Sequence, residues 1–198
     1  VDDFSSRNWT FLLKSKSDAL ELVKGWHART ARQVGYSLGT LRIDNGKLKS
    51  SAFDSFCASS GITLEYTAPY TSAENGKVER MHGTLMGCAR AMREASGLPL
   101  TLWGEFALTA GFLANYIPSA SLPRGITPLE RWYGRKPDVS FLHEIGCTAY
   151  ALIQNVHNPK ILGCSIRCVL VGYESHSKAY RLWHPEGRRL ISTRNVCF

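Results

Sequence analysis

Thr40-Leu41-Arg42-Ile43-Asp44-Asn45-Gly46 is the stretch on which the reading of this chain turns. Its first four residues alternate polar and apolar, which predicts a short half-buried strand, and Asp-Asn-Gly closes it with turn chemistry. Working outward, a helix carrying Phe53, Phe56 and Cys57 is expected over 51–59. Gly61 stops that helix, and Ile62-Thr63-Leu64-Glu65-Tyr66 alternates as a second strand. Residues 67–76 read as a loop, and a long helix is expected over 77–95, ending at Gly97. Upstream, a helix is expected from Ser17 as N-cap, with Ala19, Leu22, Val23 and Trp26 on one face. Residues 1–4 and 8–14 read as two strands around Ser5-Ser6-Arg7.

Downstream, a helix is expected over 100–116, and a short one begins at Thr127-Pro128 with proline at its first position. Trp103, Phe106, Phe112, Tyr116 and Trp132 have helical spacing and read as core. From Gly146 the texture changes to short β segments at 147–153, 166–172, 179–184 and 189–197. Turns at Asn158-Pro159, Glu174–Ser177 and Pro185-Glu186-Gly187 separate them, which is the pattern of a small barrel. The expected organisation is therefore a mixed α/β domain over 1–134, a linker over 135–145 and a small all-β barrel over 146–198.

The chain has 198 residues, 44% of them hydrophobic, and 24 Lys+Arg against 16 Asp+Glu. That balance excludes intrinsic disorder, and no apolar run reaches the roughly 18–20 residues of a membrane span. The net charge of +8 points to a polyanionic partner. It is unevenly placed: residues 145–198 carry seven basic and two acidic side chains, more than half of the excess. The opening Val1-Asp2-Asp3-Phe4, without Met and in mid-pattern, suggests a fragment. Six cysteines show no CxxC pair and no zinc-finger spacing, so they read as buried free thiols in a reducing compartment.

Asp44 ends a predicted strand, where catalytic side chains of α/β sheets project, and Glu79 sits near the start of the long helix, 35 positions on. Two carboxylates brought together repel unless a cation joins them, and oxygen ligands suit Mg²⁺ or Mn²⁺. In a basic protein this suggests metal-assisted phosphodiester chemistry. Residue by residue, Asp44 also fits a simple turn and Glu79 a helix-dipole partner. Asn75, Lys77, Arg80 and His82 surround Glu79 and could hold phosphates; Arg181, Arg188, Arg189 and Arg194 could track a backbone across the barrel. A solvated surface is the competing reading for each, and Tyr70 could stack on a base or on its own loop.

Leu41-Arg42-Ile43-Asp44-Asn45-Gly46, Tyr66-Thr67-Ala68-Pro69-Tyr70-Thr71 and Glu74-Asn75-Gly76-Lys77-Val78-Glu79-Arg80 resemble the integrase of copia-type long-terminal-repeat retrotransposons. So do Val1-Asp2-Asp3-Phe4-Ser5, Leu98-Pro99 with Leu102-Trp103, Thr127-Pro128-Leu129-Glu130, Gly134-Arg135-Lys136-Pro137, Val171-Gly172-Tyr173 and Tyr180-Arg181-Leu182. The resemblance implies an RNase-H-like catalytic core, here N-terminally truncated, with a helical extension and then an SH3-like barrel. It implies a DD-E carboxylate triad in which Asp44 is the second Asp and Glu79 the Glu. The activity implied is two-metal 3′-end processing and strand transfer with Mg²⁺ or Mn²⁺. The partners implied are element cDNA ends and target DNA, with RNA a further one, in a homo-oligomer. The place implied is the nucleus, reached from a cytoplasmic particle, with no membrane partner.

Three departures matter. The first triad Asp lies upstream of Val1 in the family, and Asp2 and Asp3 match the pair of an early hairpin, where a turn role is expected. Lys47-Leu48-Lys49 stand where a second Gly, an acid and an aromatic are usual, and the Asp-to-Glu spacing is one residue short. The His/Cys zinc module is absent. The chain by itself is therefore expected not to catalyse. Two other classes stay open: a non-catalytic nucleic-acid-binding remnant of a decayed or domesticated element, and an SH3-like protein-interaction module.

Overall fold

The structure is a computed structural model that describes residues 1–44, 50–66, 72–153, 163–175 and 177–198; the side chains of 72–75 fall outside that description. Asn45 to Lys49, the loop 67–71 with Tyr70, and the turn at Asn158-Pro159 therefore lie outside the described residues. The chain divides into two compact units, Leu12–Met81 and Val1–Phe11 with His82–Phe198. Among the described residues no helix is long and apolar enough to cross a membrane.

In the Leu12–Met81 unit a 3-10 turn, Lys16–Asp18, leads into α1, Ala19–Val34. Ser15, not Ser17, is the capping residue: its hydroxyl accepts from Ser17 N, while Asp18 Oδ2 accepts from Ser15 N. Gly35, at φ 73°, ends α1 in the left-handed region. Then come β1 (Thr40–Ile43), α2 (Ser51–Ser59) and β2 (Thr63–Tyr66), the three elements expected from the sequence. β1 and β2 run parallel, in register from Thr40↔Thr63 to Ile43↔Tyr66. A parallel pair cannot be closed by a hairpin, and α2 is its crossover. Ser50 caps α2 by accepting from Phe53 N. Phe53 and Cys57, each 1% exposed, then reach the core with Ile62, against Leu20, Val23, Leu41, Ile43 and Leu64.

α3 spans Ser72–Ser96 and so begins five residues before the expected start at 77. Asn75-Gly76 reads as a breaker locally, but a glycine inside a helix costs only about 1 kcal/mol, which a long helix absorbs.

In the second unit a 3-10 turn, Leu100–Leu102, precedes α4 (Trp103–Ala114), and α5 (Pro128–Tyr133) follows its Thr127 cap. β3 (Thr148–Leu152), β4 (Ser165–Tyr173), β5 (Tyr180–His184), β6 (Arg189–Thr193) and β7 (Val196–Cys197) form an antiparallel sheet of order β6-β5-β4-β3-β7. The segment expected as one strand over 189–197 is thus two, β6 and β7, which lie at opposite edges. Residues 1–14 form no strand, contrary to the hairpin expected there. Asp2 instead builds a turn, its carboxylate accepting from Ser5 N at 2.7 Å and Ser5 Oγ at 2.6 Å. Asn8 N donates to Asn115 Oδ1 at 2.9 Å and Asn115 Nδ2 to Asn8 O at 3.1 Å, so a buried side-chain amide takes the groups a strand partner would use.

The sheet is seated on α4. Thr109 Oγ1 donates to Val171 O at 2.8 Å, and the Phe112 and Tyr173 rings stack with centroids 5.0 Å apart. Phe141, Leu142 and Ile145 pack on the buried cluster of Ala149, Ala151, Cys168, Leu170 and Leu182. Tyr173 Oη donates to His143 O and accepts from His143 N. The stretch 135–145, expected as a linker, is therefore anchored within this unit. Phe106 is fully buried as expected, but Trp103 is 52% exposed. Trp103 is the first residue of α4, ahead of Phe106 to Gly111, where the helix is buried. All six cysteines are free, but only Cys57 and Cys168 are buried; Cys147 is partly so, and Cys88, Cys164 and Cys197 are exposed.

A Cβ added at Gly172 would overlap Thr109 Oγ1, the hydroxyl that joins α4 to β4. Gly172→Ala is expected to destabilise this unit by about 1–3 kcal/mol in urea unfolding. Gly83→Ala, in α3 with open space around it, is expected to be neutral or stabilising. Equal midpoints for wild type and Gly172→Ala would contradict this packing.

Candidate functional site

Asp44 directly follows the last residue of β1 and is exposed at the carboxyl end of the parallel pair. Its neighbour Ile43 is in register with Tyr66, the last residue of β2. Tyr66 Oη donates to Asp54 Oδ1 at 2.6 Å, tying α2 to the sheet end from which Asp44 emerges. That hydrogen bond, then desolvation and the Asp54 charge, push the Tyr66 phenol up to about 12. The sequence alone does not show the Tyr66–Asp54 link, because it depends on the crossover.

Glu79 is exposed on α3, in the third turn rather than the first, because the helix begins at Ser72. It belongs to the same compact unit as Asp44. Among the described residues neither carboxylate is held by a hydrogen bond or ion pair. The two do not form part of a cluster of three or more His, Cys, Asp or Glu able to hold a metal, again among the described residues. Their oxygens suit Mg²⁺ or Mn²⁺ in kind, but a hard cation needs further ligands.

The expected phosphate contacts fare differently from one another. Lys77 is half-buried and Arg80 exposed, and both already take part in contacts within the protein. Arg80 lies back along α3, where a Cβ at Gly76 would come 3.3 Å from its Nη1. The side chain of Asn75 is outside the described residues. His82 is exposed and belongs to the other unit.

Arg181 is not available as a phosphate-tracking residue. Its Nη2 donates to Glu105 Oε1 at 2.7 Å, its Nε to Glu105 Oε2, and its Nη1 to Glu174 Oε1 at 2.8 Å. This fork raises the already high guanidinium pKa, the Glu105 hydrogen bonds chief among the causes. With Arg181 26% and Glu105 13% exposed, the group joins β5 to α4 as a structural tie. Arg188 and Arg189 are exposed: Arg188, at φ 44°, closes the β5–β6 turn, and Arg189 opens β6 opposite His184. Glu105, which claims Arg181, is 76 positions away, so no local signal could reveal the pairing.

Residues 147–198 match the family described as the retroviral polymerase SH3-like domain. The whole chain aligns with the retrovirus-related Pol polyprotein from transposon TNT 1-94 of Nicotiana tabacum, 36% identical over 199 residues and 15% of that protein's length. Over its whole length the chain is similar to retrovirus-related Pol polyproteins of plant transposons. The corresponding polyprotein from transposon RE1 of Arabidopsis thaliana is 27% identical over 198 residues, covering all of this chain and 13% of the relative. The Ty1-LR3 Gag-Pol polyprotein of Saccharomyces cerevisiae is 24% identical over 98% of this chain and 11% of its own length. The chain thus spans a small fraction of each Pol relative. A cryo-electron microscopy structure of the simian T-cell lymphotropic virus intasome with PP2A regulatory subunit B56 gamma overlays with a TM-score of 0.47 at 16% identity. The overlay covers 93% of this chain and 64% of that one. The match over residues 147–198 spans β3 to β7 and assigns the five-stranded sheet to an SH3-like domain, beside the mixed α/β remainder of the chain.

The Tyr66–Asp54 bond carries a pH signature. The folded pKa lies above the ordinary tyrosine value of 10.0, so the bond is intact below pH 10.0 and is lost as pH rises through about 12. Tyrosinate absorbance is expected to show a late-titrating tyrosine that Tyr66→Phe removes and Asp54→Asn returns toward the ordinary value. Superimposable curves for Asp54→Asn and wild type would refute the tie.

Proposed function

We propose that this chain is the later part of an RNase-H-like integrase core, joined to its SH3-like domain, from a Pol polyprotein that processes and inserts DNA ends. The observation that carries the reading is the Asp44 placement: exposed, at the carboxyl end of a parallel β1–β2 pair, in one compact unit with an exposed Glu79. Strand ends of this kind are where α/β proteins put reactive side chains. The relationship to retrotransposon Pol polyproteins supports the same reading.

Asp44 and Glu79 would hold Mg²⁺ or Mn²⁺ together with a third carboxylate. When bound, the metal supplies a nucleophilic oxygen at neutral pH and offsets charge developing on the phosphate. The third carboxylate is the first triad Asp, on a strand outside this chain. β1 has an edge with no strand partner among the described residues, which is where such a strand would add. The chain's own residues have defined tasks in this scheme. Asp44 and Glu79 supply charge and oxygen ligands; Tyr66 and Asp54 keep the sheet end in place; Arg188, Arg189 and Arg194 carry exposed positive charge toward DNA. The partners are element DNA ends and target DNA, in an oligomer acting in the nucleus.

Strand transfer of a labelled DNA end with Mg²⁺ or Mn²⁺ tests this. The 198-residue chain alone is expected to be inactive. The chain joined to its upstream coding segment is expected to transfer, and Asp44→Asn or Glu79→Gln there to reduce the rate by roughly 100-fold or more. Full activity of either variant would refute the assignment.

A further inference from the structure

The five strands of the SH3-like sheet contain three arginines and no Asp or Glu. Arg181 is bound by Glu105 and Glu174, and Arg189 sits at the end of β6. Arg167 remains, in β4, exposed and with no side-chain hydrogen bond or ion pair among the described residues. The register sets it directly opposite Tyr150 of β3, which is 46% exposed. Directly opposed residues share a face with their Cβ atoms about 5 Å apart.

The same face continues through the pairings Val169↔Trp183 and Trp183↔Leu190, with Leu152 beyond Tyr150. The opposite face is spent on the core, where Ala149, Cys168, Leu170 and Leu182 are fully buried. The outward face therefore offers an aromatic ring beside an unneutralised guanidinium, on strands free of negative charge. A purely apolar protein partner would leave that guanidinium unpaired, at a cost. A duplex hides its base faces and presents phosphates. An unpaired strand offers both a base to stack and a phosphate to bind.

We propose that the outer face of this sheet binds unpaired polynucleotide, with Tyr150 stacking on a base and Arg167 holding an adjoining phosphate. This rests on the reading of the chain as a polynucleotide-handling protein, but not on the Asp44–Glu79 pair.

Fluorescence anisotropy of the whole chain with labelled oligothymidylate, oligouridylate and a duplex of equal length tests it. Tighter binding of either single strand than of the duplex is expected. Tyr150→Ala should weaken single-strand binding roughly tenfold and leave duplex binding unchanged. Tyr150→Phe, which keeps the ring, should bind as wild type. Arg167→Gln should weaken binding and reduce the salt slope by about one. Tyr36→Ala, at an 80% exposed aromatic in the other unit, should change nothing. Circular dichroism checks folding, and Arg167→Gln carries the test if Tyr150→Ala does not fold.

Wild-type single-strand affinity in both folded Tyr150→Ala and Arg167→Gln would overturn the proposal, as would failure of the wild-type chain to bind either single strand. So would a dimer, seen by sedimentation, that Tyr150→Ala dissolves, since a second copy would then cover the face. Each of these results leaves the strand-transfer assay free to support or refute the carboxylate assignment.

Discussion

The docking of α4 onto β4 is the constraint on which the larger unit depends. A threonine hydroxyl hydrogen-bonds a strand carbonyl, beside a glycine whose missing Cβ makes room for it. The Arg181–Glu105 fork and the Phe112–Tyr173 stack hold the same elements together. A small antiparallel sheet has little core of its own. Here it completes one against α4 and the stretch around Phe141, so that a segment with linker composition becomes part of the packing. A hydrogen bond to a charged partner contributes about 1.5–3 kcal/mol, which makes the Arg181 fork a substantial part of the attachment.

The elements governed by local rules were legible. β1, α2 and β2 follow from alternation and a left-handed Gly61, and the barrel strands follow from β-rich segments between turn residues. What escaped was decided at a distance. The apolar run at 8–14 reads as a strand, yet the backbone of its first residue, Asn8, is satisfied by Asn115 from more than a hundred positions away. The separation of β6 from β7 to opposite sheet edges has no local signal. Trp103 looks like core by spacing but sits exposed at the start of α4, ahead of the part of the helix that is buried.

The candidate site divides along the same line. Asp44 at a strand end was readable from Ile43-Asp44-Asn45-Gly46, since turn chemistry marks where a strand stops. Placement near a helix start offered Glu79 as its partner, and the resemblance gave the pair its role in a carboxylate triad. The fate of the arginines was not readable. Charge counting treats Arg181 and Arg167 alike, but two glutamates claim the first and, among the described residues, none claims the second. The basic excess of the C-terminal part therefore acts through fewer, differently placed side chains than composition suggests.

The account turns on Asp44 and Glu79 being two ligands of a metal site that an upstream strand completes. Titration calorimetry of Mn²⁺ into the chain joined to its upstream segment tests this most directly. The account predicts saturable binding that is lost in both Asp44→Asn and Glu79→Gln and is far weaker in the 198-residue chain alone. Unchanged binding in both variants would contradict it.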